Sequence, residues 1–329
     1  DLLGISCTVW NVAALARLAG RVKAAHPETV VVAGGPAALH FLGPRGAASG
    51  VVDCVVPGEG EVVLVEMIQA LGRGGKPALF GVPGLLVRDQ DGYRDTGPRR
   101  PVEDLDTLPS PYGNGLLRPG AQMIIEAARG CPRVCSFCST PTHQGARVRR
   151  FSRAYLSLEL ARAMELAEAH IFFIEPTLNL GNRRLAEIRD VIAEVDPSGQ
   201  LEFFLELDPD LVNASQLGIL GDIPSSLEFG VGCQTLDPEV LRRAGRRPHK
   251  PDLDQNLRAL ARRGEVMVEI MLGLPGDTPG MFRRTLDHVL GLPVTVIVFR
   301  TIVAPGTEMW RRADELGLIS FTVRAGYPE

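Results

Sequence analysis

Three cysteines lie within eight residues, and their spacing is the strongest chemical signal in the chain. Cys131, Cys135 and Cys138 form a C-x3-C-x2-C pattern, in which Gly130 and Pro132 help the backbone to turn tightly. Thiolates are soft ligands that suit iron–sulfur clusters and zinc. Three thiolates on one loop can hold three corners of a cuboidal cluster, which leaves the fourth iron open to another ligand. The pattern therefore indicates metal or redox chemistry.

The elements around this loop predict a partial (β/α) barrel. From about residue 121 to the end, strand and helix patterns alternate, which is typical of a parallel sheet built from βαβ units. The helix from Arg183 to Val195 shows apolar residues at helical spacing. Six strands are predicted, namely Met123 to Ala128, Ile171 to Ile174, Leu201 to Leu207, Ser226 to Val231, Val266 to Leu272 and Val294 to Arg300. In such barrels the chemistry lies at the carboxyl ends of the strands.

Two other interpretations of the cysteines remain open on spacing alone. His143 lies five residues after Cys138 and could complete a zinc site with three cysteines and one histidine. The thiols could also be packed without any ligand. The loop directly follows the first barrel strand, however, and that place is typical of catalytic residues. Its location therefore favours a catalytic cluster over a structural zinc site.

The first 85 residues predict a separate sheet with Gly-rich turns. Strands are expected over Leu2 to Cys7, Thr29 to Ala33 and Val51 to Val56, with a helix from Glu61 to about Leu71. Ligands of parallel sheets bind at the carboxyl ends of the strands. The residues at those ends are Ser6, Gly34, Gly35, Gly58, Glu59 and Gly60. These residues form either a ligand slot or ordinary tight turns, with Glu59 or Glu61 at the start of a helix.

Composition excludes several classes of protein. The formal net charge is −4 and aromatic residues make up 5%, so neither electrostatic attraction to nucleic acid nor a stacking surface for single strands is indicated. No apolar run approaches the roughly 18 residues that span a bilayer. The cysteine usage predicts a reducing cytoplasm. Residues 86–120 have a linker composition, rich in Gly and Pro. The chain opens at Asp1 without Met, and we expect an upstream segment.

The cysteine motif resembles that of the radical S-adenosylmethionine (radical SAM) enzymes, which also have an aromatic residue before the third cysteine, here Phe137. The resemblance covers nearly the whole chain. Residues 1–85 look like the later part of a cobalamin-binding domain, and residues 121–329 look like the radical SAM barrel, with 86–120 as a linker. The implied fold is α/β, a truncated Rossmann-like domain followed by a (β/α)6 barrel of the TIM type.

The resemblance implies roles for particular residues. Cys131, Cys135 and Cys138 would ligate a 4Fe-4S cluster, whose open iron would bind S-adenosylmethionine and release a 5′-deoxyadenosyl radical. Further contacts to S-adenosylmethionine are expected from strand-end residues, namely Glu175, Glu206, Gly230, Gln234, Gly273 and Pro275. The segment from Glu228 to Thr235 is similar to the family pattern E-x-G-x-Q-[ST], with one extra residue before Gln234. Helix capping by Thr177 or Asn179 is the alternative for the segment that begins at Glu175, and the contact to the cofactor is favoured.

The likeness to the cobalamin group implies the rest of the function. Cobalamin would lie against Ser6, Gly34, Gly35, Gly58, Glu59 and Gly60. No D-x-H-x-x-G motif for a cobalt-ligating histidine is present in the sequence. The expected reaction is methyl transfer to an unactivated carbon of a small molecule or peptide, with an electron from flavodoxin or ferredoxin. The alternatives are a radical cyclase, isomerase or oxidase without functional cobalamin and, more remotely, a zinc-binding protein without turnover.

Overall fold

The chain folds into a five-stranded sheet, a six-stranded sheet and a short two-stranded pair, and the two larger sheets have separate apolar cores. A computed structural model describes residues 1–42, 50–113, 123–166 and 170–319. Residues 114–122 and 320–329, which the sequence assigned to the linker and the barrel, lie outside this description. The strands are β1 (Leu2–Ser6), β2 (Val30–Gly34), β3 (Cys54–Val55), β4 (Leu86–Arg88), β5 (Tyr93–Asp95), β6 (Met123–Ile125), β7 (Ala128–Arg129), β8 (Arg149–Arg150), β9 (His170–Phe173), β10 (Glu202–Leu207), β11 (Ser226–Gln234), β12 (Glu265–Leu272) and β13 (Thr295–Arg300).

Helices connect most of these strands. They are α1 (Val12–Ala25), α2 (Glu61–Gly74), α3 (Thr140–Gln144), α4 (Arg153–Glu165), α5 (Asn182–Val195), α6 (Ala214–Gly221), α7 (Pro238–Arg243), α8 (Leu253–Leu260), α9 (Pro279–Leu290) and α10 (Glu308–Arg311). Short 3-10 helices cover Ala38–Leu42, Lys76–Gly81, Leu105–Thr107 and Pro209–Leu211. Within the described residues, no helix is both long and apolar enough to cross a bilayer.

The first sheet has five strands in the order β1-β2-β3-β4-β5, of which β1, β2 and β3 are parallel. The sequence assigned residues 86–95 to a linker, but there β4 and β5 form an antiparallel hairpin that extends this sheet. The Gly and Pro residues that suggested a linker mark the turns around short strands. Val87 is buried in the core, and the Tyr93 hydroxyl donates to the Val52 carbonyl at 2.8 Å. These contacts make the hairpin part of the first unit, which we define as the region built on this five-stranded sheet. The second unit is built on the six-stranded sheet.

The second sheet confirms the predicted partial barrel. Its six parallel strands run in the order β13-β12-β11-β10-β9-β6, so consecutive βα units lie side by side. The first of them, β6, is shorter than predicted. The chain leaves β6 at Ile125, and β7 then pairs with β8. This antiparallel pair brackets the cysteine loop.

Alternation along the barrel strands separates two faces of the sheet. On β10, Phe203 and Leu205 are fully buried against the helices. Their neighbours Glu202, Phe204 and Glu206 therefore point to the opposite, inner face. The same alternation on the adjacent strands stacks inward-facing residues in layers from the amino ends to the carboxyl ends of the strands. Polar side chains occupy the two ends of this inner face, and aromatic side chains separate them.

Candidate functional site

The cysteine loop begins in a tight turn between β7 and α3. Gly130 has a φ of +94°, and a Cβ there would collide with the backbone carbonyl of Arg147. The amide of Cys131 donates to the Gly145 carbonyl at 3.2 Å. Cys131 and Cys135 are buried, Cys138 is half-buried, and all three thiols are free. The turn needs glycine at position 130 because no side chain fits that backbone path.

Two backbone hydrogen bonds clamp the middle of the loop. The amide of Ser136 donates to the Ala244 carbonyl at the end of α7, at 2.9 Å, and the Ser136 carbonyl accepts from the Met309 amide at 2.7 Å. Gly245 completes the contact with a φ of +71°, where a Cβ would lie 2.9 Å from the Val134 carbonyl oxygen. These contacts hold Cys135 through the backbone of its neighbours.

Burial and a nearby guanidinium act in opposite directions on the protonation of the thiols. Burial raises the pKa of Cys131 and Cys135 above the ordinary thiol value. Arg246 lies beside Cys135, with Nη1 4.0 Å from Sγ, while its Nη2 donates to the Gly232 carbonyl at 2.8 Å. A nearby guanidinium favours thiolate over thiol. Three such sulfurs on one loop match the donor set of an iron–sulfur cluster.

The geometry does not support the zinc alternative. The ring nitrogens of His143 lie 2.6 Å from the Pro57 carbonyl oxygen and 3.2 Å from that of Pro36, so this side chain is directed at the first unit. A tetrahedral zinc holds its thiolate sulfurs about 3.8 Å apart. Among the described residues, the three thiols do not form a group whose ligand atoms all lie within 4.8 Å of one another. The histidine thus connects the two units of the chain.

Glu175 is placed at the carboxyl end of β9, as the sequence predicted, but it is deeply buried. Its Oε1 accepts hydrogen bonds from the backbone amides of Ala127 and Ala128, the latter at 3.0 Å. Its Oε2 is buried and has no hydrogen-bond partner among the described residues. Burial raises the pKa of Glu175 to about 7. The carboxylate therefore ties β9 to the turn that precedes the cysteine loop, and its second oxygen is enclosed without a partner among the described residues.

Glu206 and Gly230 meet on neighbouring strands of the inner face. They are register partners, and a Cβ on Gly230 would lie 2.7 Å from the Glu206 carboxyl group. A side chain at position 230 would displace this carboxyl group. Burial and the neighbouring Glu269 raise the pKa of Glu206 to about 8. The carboxyl group therefore holds its proton at neutral pH and can donate a hydrogen bond as well as accept one.

Gln234 lies at a β-bulge near the end of β11. The register between β11 and β12 shifts between Gly232 and Gln234, and Gln234 has a φ of +66°. Its Nε2 lies 2.5 Å from the position that a Cβ of Gly232 would occupy. The bulge accounts for the extra residue in the sequence pattern before Gln234, because an inserted residue redirects the following side chain.

The turn after β12 contains Gly273 and Pro275. Gly273 is exposed with a φ of +89°, and no atom lies within 4 Å of the position that a Cβ would take there, whereas Pro275 is buried. Thr278 then caps α9 by accepting from the Met281 amide at 3.2 Å. An open backbone surface therefore remains at Gly273, beside a capped helix.

The turns of the first sheet approach the cysteine loop through His143, which contacts the carbonyls of both Pro36 and Pro57. Gly34 and Gly60 border open space, and Ser6 is exposed. Gly35 is different, because its φ is +88° and a Cβ there would lie 2.7 Å from the Cys7 carbonyl oxygen. A cavity of about 400 Å³ lies between the units. Its lining includes Gly58, Glu59, Val62, His143 and Gln144.

Glu59 has contacts that the sequence did not predict. Its carboxylate lies 2.6 Å from Arg149 and 3.6 Å from Arg129, and it accepts from the Val102 amide at 2.8 Å. These neighbours hold the pKa of Glu59 below its ordinary value in spite of burial. Glu59 thus joins the start of α2 to the β7-β8 pair that brackets the cysteines.

One residue of the inner face, Glu269, was not among the predicted site residues. Glu269 faces the site from β12, where burial raises its pKa and Arg246 opposes the rise. A carboxylate between the buried apolar residues Val268 and Ile270 is the signal that could have identified it. Arg246 lies in the loop after α7, in a segment that the family resemblance places near the cofactor carboxylate and for which a solvated loop is the alternative; the structure brings it beside Cys135.

Relatives match most of this chain. The cobalamin-dependent radical SAM methyltransferase TokK of Streptomyces tokunonensis is 27% identical over 309 residues, which cover 88% of this chain and 45% of that protein. The hopanoid C-3 methylase of Methylococcus capsulatus is 27% identical over 312 residues, which cover 91% and 58%. The chain therefore spans about half the length of these curated relatives.

A solved structure shares the fold. The radical S-adenosylmethionine methyltransferase TsrM from Kitasatospora setae, with cobalamin and a [4Fe-4S] cluster bound, superposes with a TM-score of 0.75 at 20% identity. The match covers 94% of this chain and 65% of that one. It confirms the predicted α/β architecture.

The family profile described as the radical SAM superfamily matches residues 125–289, which is half of the 329 residues and includes all three cysteines of the loop. The chain belongs to the radical SAM superfamily.

Proposed function

We propose that this chain is the catalytic part of a cobalamin-dependent radical SAM methyltransferase. The observation that carries the proposal is the clamped loop at the first barrel strand, on which Cys131, Cys135 and Cys138 present three thiols for a 4Fe-4S cluster. When bound, the cluster with S-adenosylmethionine supplies a 5′-deoxyadenosyl radical, and cobalamin supplies the methyl group. The residues of the chain bind and orient these groups and exclude water.

S-adenosylmethionine would bind across the carboxyl ends of the barrel strands. Arg246 stands between Cys135 and the Gly232 carbonyl, where a guanidinium suits the carboxylate of the methionine moiety. The protonated carboxyl group of Glu206 would contact the ribose, and Gln234 would bind beside it. Gly230 and Gly273 would let the ligand approach the backbone, with Pro275 shaping the turn. Glu175, whose Oε2 has no partner among the described residues, would contact the amino group of the methionine moiety.

Cobalamin would lie between the two units, against Ser6, Gly34, Gly35, Gly58, Glu59 and Gly60. The open space at Gly34 and Gly60 supports this placement, and the cavity between the units borders Gly58 and Glu59. The names of the relatives TokK and TsrM support the choice of cofactor. In this arrangement Glu59 acts mainly through its ion pair with Arg149, because its carboxylate is already occupied.

The remaining partners follow from the cluster chemistry. The substrate would be a small molecule or peptide that offers an unactivated carbon to the inner face of the barrel. The electron would come from a flavodoxin or ferredoxin in the cytoplasm, where thiols stay reduced. A radical cyclase, isomerase or oxidase without functional cobalamin is the alternative outcome of the cobalamin test below.

Single Cys→Ala variants test the cluster. We expect Cys131→Ala, Cys135→Ala and Cys138→Ala to lose the 4Fe-4S cluster after anaerobic reconstitution, because each removes one of three protein ligands. Iron, sulfide and the cluster absorbance are measured. The matched controls are Cys7→Ala, Cys54→Ala and Cys233→Ala, whose thiols are buried in the cores, and these should keep the cluster. A full cluster in Cys135→Ala, or stoichiometric zinc in the wild type, would contradict the proposal.

Glu206→Gln tests whether the carboxyl group of Glu206 keeps its proton at neutral pH. The pKa of Glu206 is raised from 4.5 to about 8, so between those values the folded protein binds more protons than the unfolded chain. Its stability therefore falls as the pH rises through that range. Gln cannot ionise, so the variant should gain stability over the wild type as the pH rises, by at most about 1.4 kcal/mol per pH unit.

The free energy of unfolding is measured by urea denaturation under anaerobic conditions. Glu194→Gln is the control, because Glu194 is exposed on α5 and pairs with Arg153. It should show the pH dependence of the wild type. If Glu206→Gln also follows the wild-type curve, Glu206 does not hold a proton at neutral pH.

Gly34→Leu tests the cobalamin slot. No atom lies within 4 Å of a Cβ at Gly34, so the added side chain fits the fold but enters the space assigned to the cofactor. We expect retention of hydroxocobalamin by the full-length protein after desalting to fall at least about tenfold. Gly72→Leu is the control, since Gly72 lies in α2 with the same open surroundings. If the wild type retains no corrin, the methyltransferase proposal fails and the cobalamin-independent alternative stands.

A further inference from the structure

A histidine and two glutamates meet at the end of the barrel sheet opposite the cysteine loop. His170, Glu202 and Glu228 lie near the amino ends of β9, β10 and β11, and their ligand atoms are all within 4.8 Å of one another. His170 and Glu202 are register partners, and Glu228 is the register partner of Phe204 on the same inner face. In the described part of the chain, this is the one group of three such side chains.

The distances within the cluster suit a shared ion better than a hydrogen bond. Nε2 of His170 lies 3.4 Å from Oε2 of Glu228. That nitrogen is nevertheless buried without a hydrogen-bond partner among the described residues. Two ligand atoms at 2.0–2.1 Å from a tetrahedral zinc lie about 3.4 Å apart. The imidazole nitrogen and the carboxylate oxygen therefore have the separation of two ligands of one ion.

The charges of the cluster are unbalanced. Two carboxylates on neighbouring strands repel each other unless a cation lies between them. No lysine or arginine in the described ranges forms an ion pair with Glu202 or Glu228, and His170 is the single basic partner of Glu228 there. One imidazolium would neutralise only half of this charge, whereas a divalent ion would neutralise both carboxylates.

Aromatic rings separate the cluster from the radical SAM site. The rings of His170 and Phe172 meet edge to face at 4.8 Å between centroids, and Phe172 stacks on Phe204 at 4.7 Å. Glu206 is four residues beyond Glu202 on β10, which is about 13 Å along a strand. The side chains of His170 and Glu228 remain 34% and 21% exposed, so the cluster lies near solvent.

We propose that His170, Glu202 and Glu228 form a second metal site that binds one divalent transition-metal ion, with water completing the coordination. One imidazole and two carboxylates suit zinc, manganese or ferrous iron better than a soft ion. The ion ties together the amino ends of three adjacent strands and so stabilises the barrel from the end opposite the cluster. This site is independent of the proposed function, and its test does not use turnover.

Manganese is the probe of choice, because thiolates would compete for zinc but bind manganese poorly. Mn²⁺ is titrated into the cluster-loaded wild type, and the loss of the free-ion electron paramagnetic resonance signal is followed. We expect one Mn²⁺ per chain, displaced by Zn²⁺, and a melting temperature that rises with either ion. Glu228→Gln, Glu202→Gln and His170→Asn should each weaken binding at least about tenfold.

Glu194→Gln is the matched control. Glu194 is exposed on α5, pairs with Arg153 and lies outside the cluster, so its variant should bind as the wild type does. Circular dichroism checks the fold of each variant, and Glu202→Gln carries the test if Glu228→Gln fails to fold. The proposal is overturned if the wild type binds no Mn²⁺, or if a folded Glu228→Gln or Glu202→Gln variant binds it with unchanged affinity.

Discussion

The backbone clamp on Ser136 is the constraint on which the site depends. One peptide unit of the cysteine loop donates to the end of α7 and the next accepts from the start of α10. The loop alone could not hold three thiols in fixed positions, since its residues belong to no strand or long helix. Elements that come more than a hundred residues later in the chain therefore position Cys135. Gly245 allows this approach, because a side chain there would meet the loop backbone.

The first unit is joined to the same loop by two different interactions. His143, at the end of α3, contacts carbonyls from two of the Gly-rich turns, and Glu59 forms ion pairs with Arg149 and Arg129. Arg149 is almost fully buried, so the loss of either partner would leave an uncompensated buried charge. These contacts hold the turns of the first sheet beside the cysteine loop, which the proposed reaction between two cofactors requires.

The radical SAM chemistry and the barrel could be predicted because their signals are local. The cysteine spacing is contained in eight residues, and each barrel strand has its own apolar run. The β4-β5 hairpin was missed because its strands are three residues long and their turn residues are typical of linkers. The ion pair of Glu59 with Arg149 could not be predicted, because the two residues are ninety positions apart in the sequence. The burial of Glu175 could not be predicted from the sequence either, since it depends on the turn at Ala127, whose amide donates to the Glu175 carboxylate.

The central claim is that three cysteines hold a cluster whose open iron binds S-adenosylmethionine. The most direct measurement is the electron paramagnetic resonance spectrum of the reduced cluster with and without S-adenosylmethionine. Ligation of the open iron changes its surroundings, so we predict a shift in the g values of the wild-type cluster when S-adenosylmethionine is added. Identical spectra at saturating S-adenosylmethionine would contradict the account, because they would show a cluster that the cofactor does not reach.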